Sequence, residues 1–246
     1  MIKFFRKIRQ NLLVENKTGK YFKYAIGEII LVVIGILIAL SINNWNEESK
    51  SKDFEIKMLS EIRNSLNQDF TFFTNHIKER NEQLGKCISN FEKAIITNSL
   101  SKVSLDSNFK CLNIGSQIQF SRGPYDALKA TGLDKITNDS LRNKLINVYD
   151  FIYPRYKSLI ESNSTRSFDI MNKVRKGLTA DWKTQIDGDK LIYVGGGLAD
   201  IDIKNSSEFT LFLKASNDRY NFTKDRLQGI EKHILDLINQ IDKELE

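Results

Sequence analysis

Apolar residues follow three patterns along the chain, and each pattern predicts a different structure. Residues 29–40 are apolar without a break, which is the pattern of a membrane-spanning helix. After Trp45, apolar residues recur every three or four positions through several long segments, which indicates amphipathic helices. A short run at 190–194 is rich in β-branched and aromatic residues and favours a strand. The chain is therefore expected to be mainly helical.

The apolar run has the length of one bilayer crossing. Counted from Tyr24 to Asn44 it holds 21 residues, and a rise of about 1.5 Å per residue gives a helix of roughly 30 Å, the thickness of a bilayer core. Tyr21 and Tyr24 stand at one end and Trp45 at the other, where aromatic rings favour the headgroup level. We therefore predict a transmembrane helix over 24–45.

The positive charge of the chain sits in front of this helix. Residues 1–23 hold seven Lys or Arg and one Glu, which accounts for the whole net charge of +6. By the positive-inside rule the N-terminus is cytoplasmic and 46–246 lies outside. The rest of the chain is charge-balanced, so nucleic-acid binding is not expected. A cleaved signal peptide ending near Ala39-Leu40-Ser41 is the alternative, although the apolar run is longer than the usual signal core of about 7 to 15 residues.

The basic arm spaces its apolar residues at helical intervals among its cations. This pattern is typical of a helix that lies on an anionic membrane surface. A loosely ordered tail fits the same composition, and the sequence leaves both interpretations open.

Glu28 is the one ionisable residue within the predicted span. Because it lies about one turn inside the cytoplasmic edge, its side chain can reach toward the headgroups and Lys23. A second hypothesis notes a face of the helix made of Gly27, Leu31, Gly35 and Ala39 in steps of four. Small residues let helices approach closely, so this face predicts self-association or a partner helix that also covers Glu28.

The segment after the span predicts a series of helices. The first is a long amphipathic helix that continues from the span to about Ile95. Residues 97–120 lose the helical period and predict a loop with a short strand near 117–120. Gly123-Pro124 opens a short helix that Gly132 ends, and Asn138 caps a helix that runs to about Trp182 with a kink at Pro154.

The C-terminal part predicts a turn and a closing helix. Asp187-Gly188 is a turn signal before the strand at 190–194, and Ile201–Ile203 is a further β-favouring run, so a small β-hairpin fits this region. Residues from about 207 to 246 form the closing helix. The predicted fold is one N-terminal transmembrane helix followed by an extracytoplasmic antiparallel helical bundle with a small β-hairpin.

Two stretches of the sequence resemble a known family. The residues Tyr24 to Glu48, YAIGEIILVVIGILIALSINNWNEE, resemble the hallmark of an uncharacterised family of small single-span bacterial membrane proteins, a domain of unknown function in Gram-negative species. The residues Tyr125 to Tyr149, YDALKATGLDKITNDSLRNKLINVY, resemble a second motif of that family. The resemblance implies an inner-membrane anchor with a periplasmic domain, and it implies no activity, cofactor or catalytic residue.

The residues that carry chemistry do not assemble into a catalytic motif. His76 and His233 stand alone among helical residues and are interpreted as surface residues. Four carboxylates near the turn have the wrong spacing for a calcium loop and are interpreted as solvated: Asp187, Asp189, Asp200 and Asp202. Gly195–Gly197 lacks the spacing of a phosphate-binding loop and is interpreted as a flexible turn. No metal, cofactor or catalytic residue is predicted.

Cys87 and Cys111 are the two cysteines. Cys87 fits the apolar side of its helix, and buried free cysteine is common, so two free thiols are favoured. One disulfide is the alternative, because the predicted compartment is oxidising.

Two classes of function remain after these exclusions. The first is a membrane-anchored interaction or scaffold module that binds a protein partner or a second copy of itself. The second is a ligand-sensing domain, which would have to signal through a partner protein because the arm of about 23 residues is short. An enzyme ranks third. A polar pocket inside the bundle would favour sensing, and an exposed apolar patch would favour a partner.

Overall fold

The computed structural model describes residues 18–97, 99, 102–199 and 201–246. Most of the basic arm, for which a helix on the membrane surface or a loosely ordered tail was predicted, lies outside these residues, and so does Asp200. The chain divides into two compact units, Met1–Glu55 and Ile56–Glu246.

The described residues of the first unit belong to the N-terminal part of α1 (Thr18–Phe72). Its most apolar window has a mean hydropathy of 2.8, and none of that window is buried. Ile29, Leu37 and Ile42 are each more than half exposed. Among the described residues, this is the one helix that is long and apolar enough to cross a membrane. Its side chains face outward as they do in a helix whose solvent is lipid.

The second unit is built from helices and one small sheet. The first long helix continues through a π-helical turn (Phe73–Lys78) into α2 (Glu79–Thr97). Three shorter helices follow, with bounds α3 (Lys102–Cys111), α4 (Gly123–Thr131) and α5 (Asp139–Ile146). A second π-helical turn (Asn147–Ile152) leads into α6 (Tyr153–Leu178). The strands β1 (Lys183–Asp187) and β2 (Lys190–Val194) and the closing helix α7 (Ser207–Leu245) complete the unit.

The closing helix α7 runs antiparallel to the helices α2, α5 and α6, all of which it contacts. Its Phe209 contacts Phe91 of α2, and further along Glu231 pairs with Lys78. Its Ala215 carbonyl accepts a hydrogen bond from Ser167 of α6. Because α2 and α6 are each antiparallel to α7, they run in the same direction. Among the described helices, the predicted antiparallel arrangement is therefore found in the contacts of α7, whereas α2 and α6 are parallel to each other.

The main core lies between α2, α3, α6 and α7. Phe91, Phe109 and Phe212 are at most 2% exposed there, and the Phe109 and Phe212 rings stack at 5.0 Å. Glycine permits one close approach, because a Cβ on Gly85 would lie 2.6 Å from the ring of Tyr220. The periodic apolar residues that predicted the long helices are the residues that fill this core.

Helix α3 occupies a segment for which the sequence predicted a loop. Leu105, Phe109 and Leu112 return at helical spacing and pack into the core, so tertiary contacts outweigh the weak helix propensity of the intervening Ser and Asn. The strand predicted at 117–120 is absent, because the segment is extended but has no strand beside it.

The helix α3 also brings the two cysteines together. Cys87 of α2 and Cys111 at the end of α3 form a disulfide, with their Cα atoms 6.2 Å apart. The expectation of two free thiols was therefore wrong. That expectation failed because the helix α3 was not predicted, and a loop gives Cys111 no fixed position beside α2.

Several predicted helix boundaries are confirmed. Gly132 ends α4 with φ 116°, and Asn138 caps α5 by accepting hydrogen bonds from two backbone N–H groups of the first turn. Pro154, at which a kink was predicted, directly follows the π-helical turn within a continuous helical stretch. The helix adjusts ahead of the proline through the π-helical turn, which is a recognised way to relieve a proline in a continuous helix.

Candidate interaction surface

A two-residue turn joins β1 and β2 into the predicted hairpin. Gly188 in the turn has φ 58°, a left-handed conformation that glycine adopts at little cost. Asp187 and Lys190 are paired beside the turn and place opposite charges across the strands. The partner of the predicted strand is thus the preceding segment. Ile201–Ile203 stays outside the sheet, and Ile203 is buried in the core.

One face of the hairpin is apolar and exposed. Because side chains alternate along a strand, Thr184, Ile186, Leu191 and Tyr193 share this side, which we call the apolar hairpin face. Ile186 is 80% exposed, Leu191 58% and Tyr193 69%. Grouped exposed apolar side chains of this kind mark a contact surface more often than scattered ones do.

Hydrogen bonds close the base of the hairpin and link it to Asp106 of α3. Ala180 N–H donates to the Gly197 carbonyl at 2.9 Å, and Gly196 N–H donates to the Ala180 carbonyl at 3.0 Å. Leu198 N–H donates to a carboxylate oxygen of Asp106 at 2.8 Å. The triplet Gly195–Gly197 is therefore packed at the base of the hairpin, and the flexibility of this turn stays a prediction.

Glycine is needed at the base of the hairpin because other groups lie against the backbone. Gly195 has φ 130° and Gly196 has φ 66°, both in the region that side chains disfavour. The ring of Trp182 lies directly against Gly196, and the backbone of Asp181 lies against Gly195. These contacts define the backbone conformation at the base of the hairpin, which positions the apolar hairpin face.

The second unit also carries a groove of about 1090 Å³ with a mixed polar and apolar lining. It opens between the first π-helical turn, the extended segment 115–119 and α6. Arg80 and Lys157 line it, and Lys157 lies 3.9 Å from the carboxylate of Glu161. The hydroxyl of Ser164 is buried at the groove without a hydrogen-bond partner. Phe168 supplies apolar surface to the same groove.

Asp69 is a buried carboxyl next to a cluster of aromatic rings. It is 3% exposed and accepts two hydrogen bonds from Ser121 N–H, at 3.0 and 3.2 Å. Burial raises the pKa of Asp69, and the hydrogen bonds from Ser121 oppose that rise. Burial likewise raises the pKa of Tyr149 and Tyr153.

This cluster holds the extended segment in place. Phe120 stacks on Tyr153 with ring centroids 3.8 Å apart, and Ser65 Oγ donates to the Ser121 carbonyl at 2.9 Å. Asp69 is enclosed, so a substrate has no route to its carboxyl. We therefore interpret the cluster as the support for one wall of the groove.

A second buried charge lies on α7. Arg219 is 2% exposed, donates to Ser167 Oγ at 3.0 Å and to the Leu112 carbonyl at 2.6 Å, and lies over the Phe168 ring at 4.4 Å. Burial lowers the pKa of Arg219 to about 10, so the guanidinium stays charged at neutral pH. In the described part of the chain no carboxylate pairs with it. Its hydrogen bonds tie α3, α6 and α7 together.

The candidate contact residues of the apolar segment, a candidate membrane span, share one side of α1. Gly27, Leu31, Gly35 and Ala39 are exposed, and a Cβ added at either glycine would meet nothing within 4 Å. Glu28 is half-buried. The face is open to another helix, and its association with one stays a prediction.

The remaining candidate residues are dispersed. His76 is exposed beside the groove, and His233 lies with its ring centroid 6.1 Å from that of Tyr156. Asp187 and Asp189 are exposed at the hairpin turn. Asp202 accepts hydrogen bonds from Lys204 N–H and the side chain of Asn205, within its own turn. No group of three metal-ligating residues occurs among the residues that the structure covers.

Sequence reasoning missed the apolar hairpin face, Asp69 and Arg219. The face had a detectable signal, because Ile186, Leu191 and Tyr193 stand on one side of a strand–turn–strand pattern. The two buried charges had none, since each occupies a helical position that a solvated residue also fits.

A profile of the family of unknown function DUF6090 matches residues 28–174, which is more than half of the chain. The match contains the two stretches on which the resemblance rested, apart from the first four residues of one of them. No curated protein and no solved structure matches the chain.

Proposed function

Since the chain belongs to the family of unknown function DUF6090, we propose its role from its own geometry. It is a membrane-anchored interaction or scaffold module that works by binding a protein and not by catalysis. The apolar hairpin face carries this proposal. Ile186, Leu191 and Tyr193 expose apolar surface on a hairpin whose base is closed by backbone hydrogen bonds. Such a surface gains stability when a partner covers it.

The proposed location is the bacterial inner membrane, with the N-terminus cytoplasmic and 46–246 in the periplasm. The basic residues before the span support this orientation. The disulfide between Cys87 and Cys111 supports it independently, because disulfides persist in oxidising compartments. A cysteine placed at Glu246 should react with a membrane-impermeant reagent in intact spheroplasts. Reaction only after lysis would contradict the orientation.

The interaction proposal is tested by changing the apolar hairpin face in the full chain. A triple variant, Ile186→Ser, Leu191→Ser and Tyr193→Ser, should lose the proteins that co-purify with the wild type from native membranes. The matched control is Leu211→Ser with Leu235→Ser on α7, which removes apolar side chains of 42% and 43% exposure elsewhere. The control should keep those proteins. Retention by both variants would contradict the proposal.

The absence of catalysis is tested by conservative exchanges. Asp189→Asn, His76→Gln and His233→Gln should each leave the cellular phenotype of the wild-type chain intact. Loss of that phenotype from one of these exchanges, with folding and co-purification preserved, would point to a catalytic or ligand site and against this part of the proposal.

The groove favours ligand sensing as a second candidate function. Its polar lining, with Arg80, Lys157 and the buried hydroxyl of Ser164, is the kind of pocket that holds a small polar ligand. Thr165 lines the groove and is exposed, so Thr165→Trp should fill it without disturbing the core. Loss of the phenotype from Thr165→Trp, with the hairpin variants active, would favour sensing over the interaction proposal.

A further inference from the structure

The outer edge of β1 is an unpaired sheet edge. Within the described residues the sheet has two strands, and β1 is exposed at all five positions. No proline or bulge interrupts it. An edge strand of this kind presents unpaired N–H and C=O groups in a row, which is a template for another strand.

We propose that this edge pairs with β1 of a second copy of the chain. The two strands run antiparallel around a two-fold axis at Gln185. The proposal goes beyond the proposed function, because it assigns the strand edge to self-association and leaves the apolar hairpin face to another partner. A two-fold axis is the usual symmetry of a homodimer, and it makes each contact occur twice.

Charge complementarity selects this register. With the axis at Gln185, Lys183 of each copy lies opposite Asp187 of the other, so one strand supplies both halves of two ion pairs. Thr184 lies opposite Ile186 on the other side of the sheet. Moving the axis to Thr184 would place Asp187 opposite Asp181, a repulsive pair. Moving it to Ile186 would place Lys183 opposite Asp189, which lies in the turn.

The direction of the backbone N–H and C=O groups, which alternates along β1, is compatible with this register. Alternate residues of β1 direct their backbone groups away from β2, and a two-fold axis can pass through either type of antiparallel residue pair. The result is a four-stranded sheet in the order β2, β1, β1, β2. Ile186, the most exposed of the apolar hairpin face, then gains a neighbour in Thr184 of the other copy.

Cysteine cross-linking of the full chain in native membranes tests the register. The Gln185→Cys variant should form a disulfide-linked dimer under mild oxidation, because the two positions lie opposite each other. The matched control is Asp189→Cys, at the turn of the same hairpin. In this register position 189 lies four residues from the axis in each copy. At about 3.4 Å per residue the two substituted positions are about 27 Å apart and should not cross-link.

A charge exchange supplies the second test. Lys183→Asp alone and Asp187→Lys alone should each lower the yield of the Gln185→Cys dimer roughly tenfold, and the two changes together should restore it. Lys190→Gln on β2 is the control and should leave the yield nearly unchanged, because β2 lies away from the paired edge and the change places no like charge opposite Asp187.

Three results would overturn the pairing. One is the absence of a dimer with Gln185→Cys. Another is a dimer that both single charge changes leave intact. The third is cross-linking at Ile186→Cys without cross-linking at Gln185→Cys, which would mean that two apolar hairpin faces stack. Failure here is distinct from failure of the proposed function, which is judged by the co-purifying proteins of the triple variant.

Discussion

The disulfide between Cys87 and Cys111 is expected to stabilise the second unit by an amount that its loop length sets. The two residues are 24 positions apart. Closing a loop of about 25 residues removes entropy from the unfolded chain that corresponds to about 3.5 kcal/mol at 25 °C. The double variant Cys87→Ser, Cys111→Ser should therefore be less stable by about this amount, because the unfolded chain regains the freedom of that loop.

Pulse proteolysis in urea measures this loss on the full chain in detergent micelles, since it reports the unfolded fraction of the second unit. With an m-value of about 2 kcal/mol per molar, the midpoint of the double variant should fall by about 1.7 M. Reductant should lower the midpoint of the wild type by a similar amount. The double variant is its own control, because reductant should leave its midpoint unchanged.

Alkylation of the wild-type chain in membranes from growing cells completes the test. The mass after alkylation should rise by two adducts only when reductant precedes the alkylating reagent. Two adducts without reductant, or a wild-type midpoint that reductant does not change, would refute the bond and remove one of the two supports for a periplasmic location.

Three further predictions concern packing, protonation and the membrane helix. Gly85→Ala should destabilise the second unit by about 1 to 3 kcal/mol in the same urea assay, because the new Cβ would lie 2.6 Å from the ring of Tyr220; an unchanged midpoint would contradict the packing of α2 on α7. Because burial raises the pKa of Asp69, the wild type should lose stability relative to Asp69→Asn as pH rises through that raised value; a difference that is the same at pH 4 and pH 7 would contradict the shift. Gly35→Ile should weaken association of the membrane helix in a bilayer dimerisation assay; a dimer signal that neither Gly35→Ile nor Glu28→Leu changes would make the span an anchor alone.

The helices and their ends could be predicted from local sequence because local chemistry determines them. The apolar period defines α2, α6 and α7, and a capping side chain at Asn138 or a left-handed glycine at Gly132 needs no knowledge of the rest of the fold. The hairpin turn at Gly188 follows from the same local rules.

The features that were missed depend on contacts between distant segments. The helix α3 forms where propensity is weak because Phe109 and Leu112 find a core to enter. The disulfide depends in turn on where α3 places Cys111. Arg219 meets Leu112, which is distant in sequence, so its burial has no local signature.

The candidate site was predictable only in part, for a similar reason. Alternation along β1 and β2 shows which residues share a face, but it does not show which face the rest of the molecule covers. The structure leaves both faces of the hairpin uncovered, and the exposure of the apolar face was not expected. The open face of Gly27, Leu31, Gly35 and Ala39 was predictable from spacing alone, because a helix of the candidate membrane-spanning type needs no tertiary contacts to form.

Site-specific photo-cross-linking in living cells tests most directly whether the chain acts by binding a protein. A photoreactive amino acid replaces Ile186 on the apolar hairpin face in one strain and Leu211 on α7 in another, both exposed apolar positions of the same unit. After irradiation, the Ile186 position should give a discrete adduct with a protein other than a second copy of the chain, and the Leu211 position should give none. No such adduct at Ile186, or the same adducts at both positions, would contradict the proposed interaction surface.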